Sequence, residues 1–150
     1  MKYKTNLDST WQDYTIDTEI ALENIDDYVQ FANTNTTLSL STSDFVQFTM
    51  TGTIAGSGNI QSMLNYSNSC SEYCYVHMFQ SCSSLITAPE LPSTTLANGC
   101  YQSVFMGCTN LTTTPNLPAM NLANNCYQSM FYNCTSLIDA PYLPATNLYV

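Results

Sequence analysis

The second half of the chain repeats one pattern of 26 residues three times, and its last copy begins CYQSMFYNC. The units occupy residues 74–99, 100–125 and 126–150, and an atypical first unit is predicted near 56–73. They share Cys, Tyr, Phe, a second Cys, Leu, Pro, Leu and Pro at the same unit positions. A period in the twenties is typical of a solenoid, in which each unit packs on the next and buries a continuous core.

The residues of one unit predict a short helix followed by an extended segment. Cys100, Val104 and Cys108 stand at i, i+4 and i+8, which would give a helix one apolar face. Pro115 and Pro118 exclude a helix over the next segment and favour an extended chain. The sequence therefore predicts an α+β repeat fold, a solenoid whose units each combine a short helix with a strand.

The N-terminal part, residues 1–66, has a different pattern and is predicted to be a β-rich cap on a solenoid of residues 67–150. Its segments YTIDTEIAL, DYVQF, TTLSLS and DFVQFTMTGTIAG alternate or cluster apolar residues between Asn, Asp and Gly. Such segments indicate four or five strands of a small antiparallel unit. Terminal units of a solenoid need a polar outer face, which this region would supply.

The chain has seven cysteines, an odd number that argues against a complete set of internal disulfides. Stacked units would place six of them in two structural ladders of buried thiols, because free cysteine packs as a small apolar side chain. The alternatives are a disulfide, between Cys70 and Cys74 or within one Cys-x7-Cys pair, and a zinc site with His77. The ladders consist of Cys74, Cys100 and Cys126, and of Cys82, Cys108 and Cys134.

The charge balance excludes several classes of partner. Two basic residues face eleven acidic ones, and the net charge is -9. Such a chain cannot neutralise a row of phosphates, so neither nucleic acid nor an anionic membrane surface is expected as a partner. The start, MKYKTNLDSTWQDY, lacks the apolar segment of a secretory signal peptide, and no apolar run is long enough to cross a bilayer.

No catalytic, cofactor or metal site is predicted. His77 is the only histidine, and Ser103 and Ser129 stand at its unit position in the other repeats, which is typical of an exposed surface position rather than a general base. Asp26 and Asp27 offer oxygen ligands for calcium, but the interpretation preferred here is a polar turn between strands.

A partner-binding face is predicted at the positions that differ between units while the apolar positions stay the same. Large apolar groups in such positions are enriched at interface centres. The alternative is that exposed positions simply vary. The predicted partner-binding residues are Gln80, Glu90, Met106, Asn116, Met120, Tyr132, Tyr142 and Thr146.

The pattern C-Y-x-x-M-F-x-x-C-T-x-L-x-x-A-P-x-L-P-A-T-x-L, clearest at 126–148, resembles the BspA-like leucine-rich repeats. W-x-x-Y-T-I-x-T-E-I-x-L and M-T-G-T-I-A-G-S-G-N-I resemble the β segment that often precedes them. The resemblance implies a leucine-rich-repeat-type solenoid in an attachment protein that binds a protein or glycan on a surface. These repeats occur in surface proteins of gut-associated bacteria and some protists, and in phage of such bacteria.

Two locations follow from that resemblance. The chain would act extracellularly or at a cell surface if a leader precedes this sequence. Otherwise it would be associated with a virion, as a tail, fibre or capsid-associated protein whose repeats pack against neighbouring subunits. A second copy or a neighbouring virion subunit is expected at the open C-terminal end.

Overall fold

The computed structural model describes residues 1–147, so the predicted last positions of the third unit lie outside the described residues. Three short strands form an antiparallel sheet in the order β2-β1-β3, and two more pair in parallel as β4-β5. A 3-10 helix lies between β4 and β5 in the chain. The elements are β1 (Lys2–Thr5), β2 (Gln12–Asp13), β3 (Val29–Ala32), β4 (Ile54–Ala55), the 3-10 helix (Ile60–Leu64) and β5 (Leu85–Thr87).

The predicted fold class is wrong. Residues 1–147 contain no α-helix, and most of them lie in turns and irregular segments between the few short strands. The structure therefore does not show a helix-plus-strand solenoid with an antiparallel cap. The segment 100–108, predicted as a helix, is a run of turns, and the proline-containing segment after it forms no strand.

Backbone conformation explains why the repeats are not helical. Every fourth residue of the Cys-x7-Cys segment has a positive φ; in the second unit these are Gly99 (61°), Ser103 (54°) and Gly107 (76°). The other units have the same conformation at the same positions. A right-handed helix needs negative φ at every residue, so a left-handed residue every four positions ends it at each turn.

The backbone hydrogen bonds of this segment alternate between two kinds. Gln102 and Val104 donate within the unit to the carbonyl three residues earlier, at 3.1 Å and 3.3 Å. Tyr101 instead donates to the next unit, to the carbonyl of Cys126 at 3.0 Å, and Ser103 donates to that of Gln128 at 2.8 Å. Equivalent bonds join the first unit to the second. The sequence repeat is therefore held in register by backbone bonds between copies.

Stacked aromatic rings form the centre of the core. Phe79 lies against Phe105 with centroids 5.5 Å apart and planes 9° apart, and Phe105 lies against Phe131 at 5.8 Å and 9°. Phe48 from the N-terminal region continues this column, stacking on Phe79 at 5.3 Å and 11°. Its N–H donates to the carbonyl of Met78 at 2.7 Å. Phe48 thus lies where the phenylalanine of a preceding repeat unit would lie.

The N-terminal strands differ from the prediction. The segments YTIDTEIAL and TTLSLS form no strand, and the antiparallel sheet instead pairs β1 with β2 and with β3. Strand β4 joins β5 of the first repeat rather than another N-terminal strand. Period-two alternation predicted strands here, but Ile16 and Leu40 are 72% and 66% exposed, and the other alternating apolar side chains are only half-buried. Without burial on one face, alternation has no packing to stabilise a strand.

Candidate functional site

The predicted partner-binding residues lie in columns along the repeats. Bonds between successive units align Gln80, Met106 and Tyr132, because Ser81 donates to the carbonyl of Met106 and Gly107 to that of Tyr132. A second column holds Asn116 and Tyr142, since Leu117 donates to the carbonyl of Tyr142. Equivalent residues of two bonded units therefore lie on neighbouring turns.

The remaining predicted residues fall beside these columns. Glu90 occupies the unit position of Asn116 and is bonded through its carbonyl to Ile60 of the 3-10 helix. Met120 and Thr146 stand next to an isolated parallel bridge between Asn121 and Asn147. No hydrogen bond among residues 1–147 joins one column to another. The structure thus aligns equivalent residues but does not bind the columns into one site.

Three of the predicted partner-binding side chains, all in the second and third units, are strongly exposed. Tyr132 and Tyr142 are each 70% exposed and Met120 is 51% exposed. Phe105 and Leu111, at positions that do not vary in type, are fully buried. Large apolar side chains with so much open surface are candidates for contact with a partner.

The second cysteine of each unit has a defined structural contact. The thiol of Cys108 donates to the carbonyl of Phe79 at 3.0 Å, and that of Cys134 donates to Phe105 at 3.0 Å. Cys82 makes the same bond to Phe48 at 3.0 Å. Burial raises the pKa of Cys82 to about 11 and that of Cys108 to about 12, from an ordinary value near 9. These thiols are protonated donors at neutral pH.

The first cysteines lie in a more crowded environment. All seven cysteines are free thiols, and every one except the half-buried Cys70 is buried. A side-chain hydrogen bond with Cys70, together with burial, raises the pKa of both Cys74 and Cys100. Side-chain hydrogen bonds from Cys100 and Cys74 lower the pKa of Cys70. Cys70 is the most accessible thiol of this group.

His77 and Asp27 are engaged in local contacts. The His77 ring packs on Phe45 with centroids 4.8 Å apart, and burial lowers its pKa. One oxygen of Asp27 accepts from Asn6, and the other accepts from the backbone of Glu23 and Asn24, which closes a turn. Those hydrogen bonds, led by the one from Asn6, lower the Asp27 pKa. Within residues 1–147, no group of three His, Cys, Asp or Glu side chains is placed to hold a metal ion.

A cleft of about 700 Å³ lies between the N-terminal sheet and the 3-10 helix. Its lining includes two exposed aromatic residues, Trp11 and Tyr66, together with Asn33, Asn35 and Asn65. The predicted site residues did not include them, because they lie outside the repeat units, and Trp11 entered the sequence analysis only as the first residue of the W-x-x-Y-T-I segment. The available signal was that Trp11 is the single tryptophan of the chain.

The backbone next to the 3-10 helix is strained where it enters this cleft. Asn65 and Tyr66 follow the helix with φ values of 53° and 54°. Asparagine adopts this left-handed conformation readily, whereas a residue such as tyrosine is disfavoured there by about 1–2 kcal/mol. Tyr66 nevertheless leaves its side chain 67% exposed. Burial of the Tyr66 ring therefore does not offset the conformational free-energy cost of its backbone.

The last described repeat presents a row of unpaired backbone donors. The N–H groups of Tyr127, Ser129, Phe131 and Asn133 correspond to groups that bond to the following unit in the earlier repeats, but have no acceptor within residues 1–147. The carbonyls of Cys126, Gln128, Met130 and Tyr132 are already bonded to the second unit. We call these four N–H groups the donor edge, because this edge can donate hydrogen bonds but has no free carbonyl among those four to accept them.

Comparisons with protein families, with curated proteins and with solved structures found no match to the chain. In residues 1–147 no helix is both long enough and apolar enough to cross a membrane. A functional proposal for the chain therefore depends on its own surfaces and on the resemblance of its repeats.

Proposed function

We propose that the chain is a non-catalytic attachment module that binds a protein or another cell-surface partner through its repeat columns. The observation that carries this proposal is the exposure of Met120, Tyr132 and Tyr142 at positions that vary between otherwise similar units. The resemblance to BspA-like repeats supports the same function. Such a module acts at a cell surface or on a virion.

The chemistry of the columns favours a protein-like or glycan partner over a charged polymer. Tyrosine and methionine contribute large contact areas, and tyrosine adds a hydroxyl that can donate or accept. Glu90 is the one charged residue among the predicted partner-binding residues. Binding would therefore be driven by apolar burial and neutral hydrogen bonds, and would depend only weakly on salt.

A cell-binding assay tests the proposal. We expect fluorescently labelled protein to bind intact epithelial cells saturably, and the double variant Tyr132→Ser/Tyr142→Ser to bind about tenfold more weakly, since loss of interface anchors costs at least about 1.4 kcal/mol. Ile138→Ser is the matched control, because Ile138 is 84% exposed in the same unit but lies outside the columns.

Two results would contradict attachment through the columns. One is wild-type binding by the double variant. The other is an equal loss in Ile138→Ser, which would indicate general apolar adhesion. Treating the cells with protease beforehand identifies the partner class, because a protein receptor is lost and a glycolipid is retained.

The donor edge favours a second candidate, a structural component of a phage particle that packs against neighbouring subunits. Unpaired donors beside the half-buried rings of Tyr127 and Phe131 form a surface that another chain can complete. Two copies that met edge to edge would place donors opposite donors. A neighbour must therefore contribute carbonyl groups from a different surface.

Native mass and amide hydrogen exchange distinguish the two candidates. A stable oligomer in which the amides of Tyr127 and Phe131 are protected would favour the particle component. A monomer in which these amides exchange much faster than those of Tyr101 and Phe105 would favour the separate attachment module, because the latter two are bonded to the third unit.

A further inference from the structure

We propose that the cleft between the N-terminal sheet and the 3-10 helix binds a short neutral oligosaccharide, with Trp11 and Tyr66 contacting the apolar faces of sugar rings and neighbouring amides binding the hydroxyls. This site goes beyond the proposed function, because it uses none of the repeat columns. Its volume of about 700 Å³ lies within the range of about 300–1,000 Å³ typical of small-ligand sites.

The floor of the cleft is a fixed piece of backbone. Asn33 donates to the carbonyl of Ser62 at 2.9 Å, and Asn65 donates to the carbonyl of Asn33 at 3.0 Å. The hydroxyl of Ser62 donates to the carbonyl of Phe31 at 2.9 Å. These bonds join the end of β3 to the end of the 3-10 helix, so the two walls are held together before any ligand binds. A preformed site of this kind lowers the entropy cost of binding.

The two aromatic side chains lie on opposite elements of this frame. Trp11 immediately precedes β2 and is 43% exposed, whereas Tyr66 follows the 3-10 helix. Both contribute to the lining of the cleft. An exposed aromatic face presents flat apolar surface with a polar group at its rim, which matches a sugar ring with C–H groups on its face and hydroxyls at its edge.

The strained conformation of Tyr66 supports a role for its ring. Its φ of 54° belongs to a region where glycine or asparagine would be more stable. The N–H of Tyr66 donates to the carbonyl of Gln61 at 2.8 Å, a bond that any non-proline residue would make. Nothing within the fold requires a tyrosine at this strained position, whereas contact between its ring and a ligand would explain it.

The polar groups of the cleft are also available for binding. The amide nitrogen of Asn33 and the side-chain amides of Asn35 and Asn65 have no hydrogen-bond partner within residues 1–147. The amides of Asn35 and Asn65 each offer both a donor and an acceptor, the combination that neighbouring sugar hydroxyls require, whereas Asn33 offers its donor, because its oxygen already accepts from the Asn35 N–H. Several such groups in one cleft suit a ligand with many hydroxyls better than one with few polar groups.

Charge favours a neutral sugar. The charged side chains of the lining, Lys2 and Asp13, form an ion pair at 2.8 Å beside the α-amino group of Met1. The chain as a whole has a net charge of -9, which repels anionic ligands. A sulfated or carboxylated sugar is therefore disfavoured.

A peptide fits the cleft less well. The backbone N–H groups of Asn33 and Asn65 are already bonded, so they cannot pair with an added strand. A proline-rich peptide would use the aromatic rings but would leave most of the amides unpaired, and unpaired polar groups weaken binding when water is displaced. A proline-rich decapeptide is therefore the competing ligand to include in the test.

The single tryptophan provides a direct assay, because Trp11 lies in the cleft itself. The full chain is titrated with neutral trisaccharides of glucose, galactose, mannose and N-acetylglucosamine while tryptophan emission is recorded. We expect a saturable change with at least one of them, and a weaker response to its sulfated counterpart.

Tyr66→Asn is the decisive variant, because asparagine tolerates the left-handed conformation and removes only the ring. We expect it to bind the active trisaccharide at least about tenfold more weakly, with a melting temperature equal to or above that of the wild type. Tyr28→Asn is the matched control, because Tyr28 is 51% exposed and lies outside both the cleft lining and the repeat columns, and it should bind normally.

Three results would overturn the proposal: no saturable change with any of the four trisaccharides, saturation by the proline-rich peptide alone, or unchanged binding by Tyr66→Asn. None of them affects attachment through the columns, since that assay depends on Tyr132 and Tyr142. Failure of cell binding by the column variants, in turn, leaves the cleft assay unchanged.

Discussion

Replacing Gly107 by alanine distinguishes the turn structure of the repeats from a helix by the sign of its effect on stability. Gly107 has a φ of 76°, a conformation that disfavours alanine by about 1–2 kcal/mol. An added Cβ would lie 3.4 Å from the Ser81 hydroxyl oxygen and 3.5 Å from the Ser81 Cα, both ordinary contacts. The cost is therefore conformational rather than steric, and we expect unfolding free energy to fall by about 1–2 kcal/mol.

A helix would respond in the opposite way. Alanine in place of glycine within a helix is stabilising by about 1 kcal/mol. Urea unfolding followed by circular dichroism measures the difference, provided that the denaturant slope is unchanged. A rise in stability for Gly107→Ala would refute the turn structure.

Two companion variants make the Gly107 experiment sharper. Gly107→Asn should lose less than the alanine variant, because Asn133 occupies the same unit position with a φ of 60°. Gly99→Ala should lose more, because its Cβ would come within 2.5 Å of the Tyr73 ring and add a steric cost to the conformational one. An equal loss in all three variants would show that backbone conformation is not the cause.

The raised thiol pKa values make stability depend on alkaline pH. Cys82 and Cys108 have folded-state pKa values of about 11 and about 12, above an unfolded value near 9, so their contribution is complete below pH 9 and is lost as pH rises through the folded values. Each thiol should lower stability by up to about 1.4 kcal/mol per pH unit in that window, and Cys108→Ala should show a shallower decline in urea midpoint. Seven thiols should react with an alkylating reagent after unfolding. In the native protein the half-buried Cys70 should be alkylated first. Equal alkylation rates at all seven cysteines of the native protein would contradict the burial of the other six.

The sequence allowed two structures for the Cys-x7-Cys segment, and the apolar pattern could not separate them. Spacings of four and eight residues fit one face of a helix, but they are also multiples of two and therefore fit a chain that alternates its backbone bonds between its own unit and the next. The distinguishing signal lay in the residues between the apolar ones. Glycine or asparagine stands at both ends of the turn segment in the second and third units, at Gly99 and Gly107 and at Asn125 and Asn133. These are the residues that most readily adopt positive φ.

Cysteine spacing was equally ambiguous until the backbone was known. The thiol of Cys108 bonds to a carbonyl 29 residues earlier, a contact that depends on the register between units. An apolar residue of similar size could fill the same space but could not donate a hydrogen bond to the Phe79 carbonyl. The repeat of cysteine at this position is thus explained by a weak hydrogen bond as well as by volume.

The candidate sites differ in how far sequence could locate them. Column residues were identifiable because repeats allow one unit to be compared with the next within a single chain. The cleft residues lie outside the repeats, so no second copy in the chain can be compared with them. Trp11 and Asn33 come together through β2, β3 and the 3-10 helix. The cleft residues are far apart in sequence, and only the tertiary fold brings them into one lining.

The two surfaces also place different demands on the fold. Column residues such as Tyr132 can change without altering the core, because the neighbouring positions that stack and bond are separate from them. Tyr66 is different, because its ring and its strained backbone belong to the same residue, so binding and stability are opposed there. Tyr66→Asn should therefore improve stability while weakening the cleft, whereas Tyr132→Asn should leave stability within about 0.5 kcal/mol of the wild type. That contrast follows from the φ of 54° at Tyr66, and not from exposure, which is nearly the same for both tyrosines.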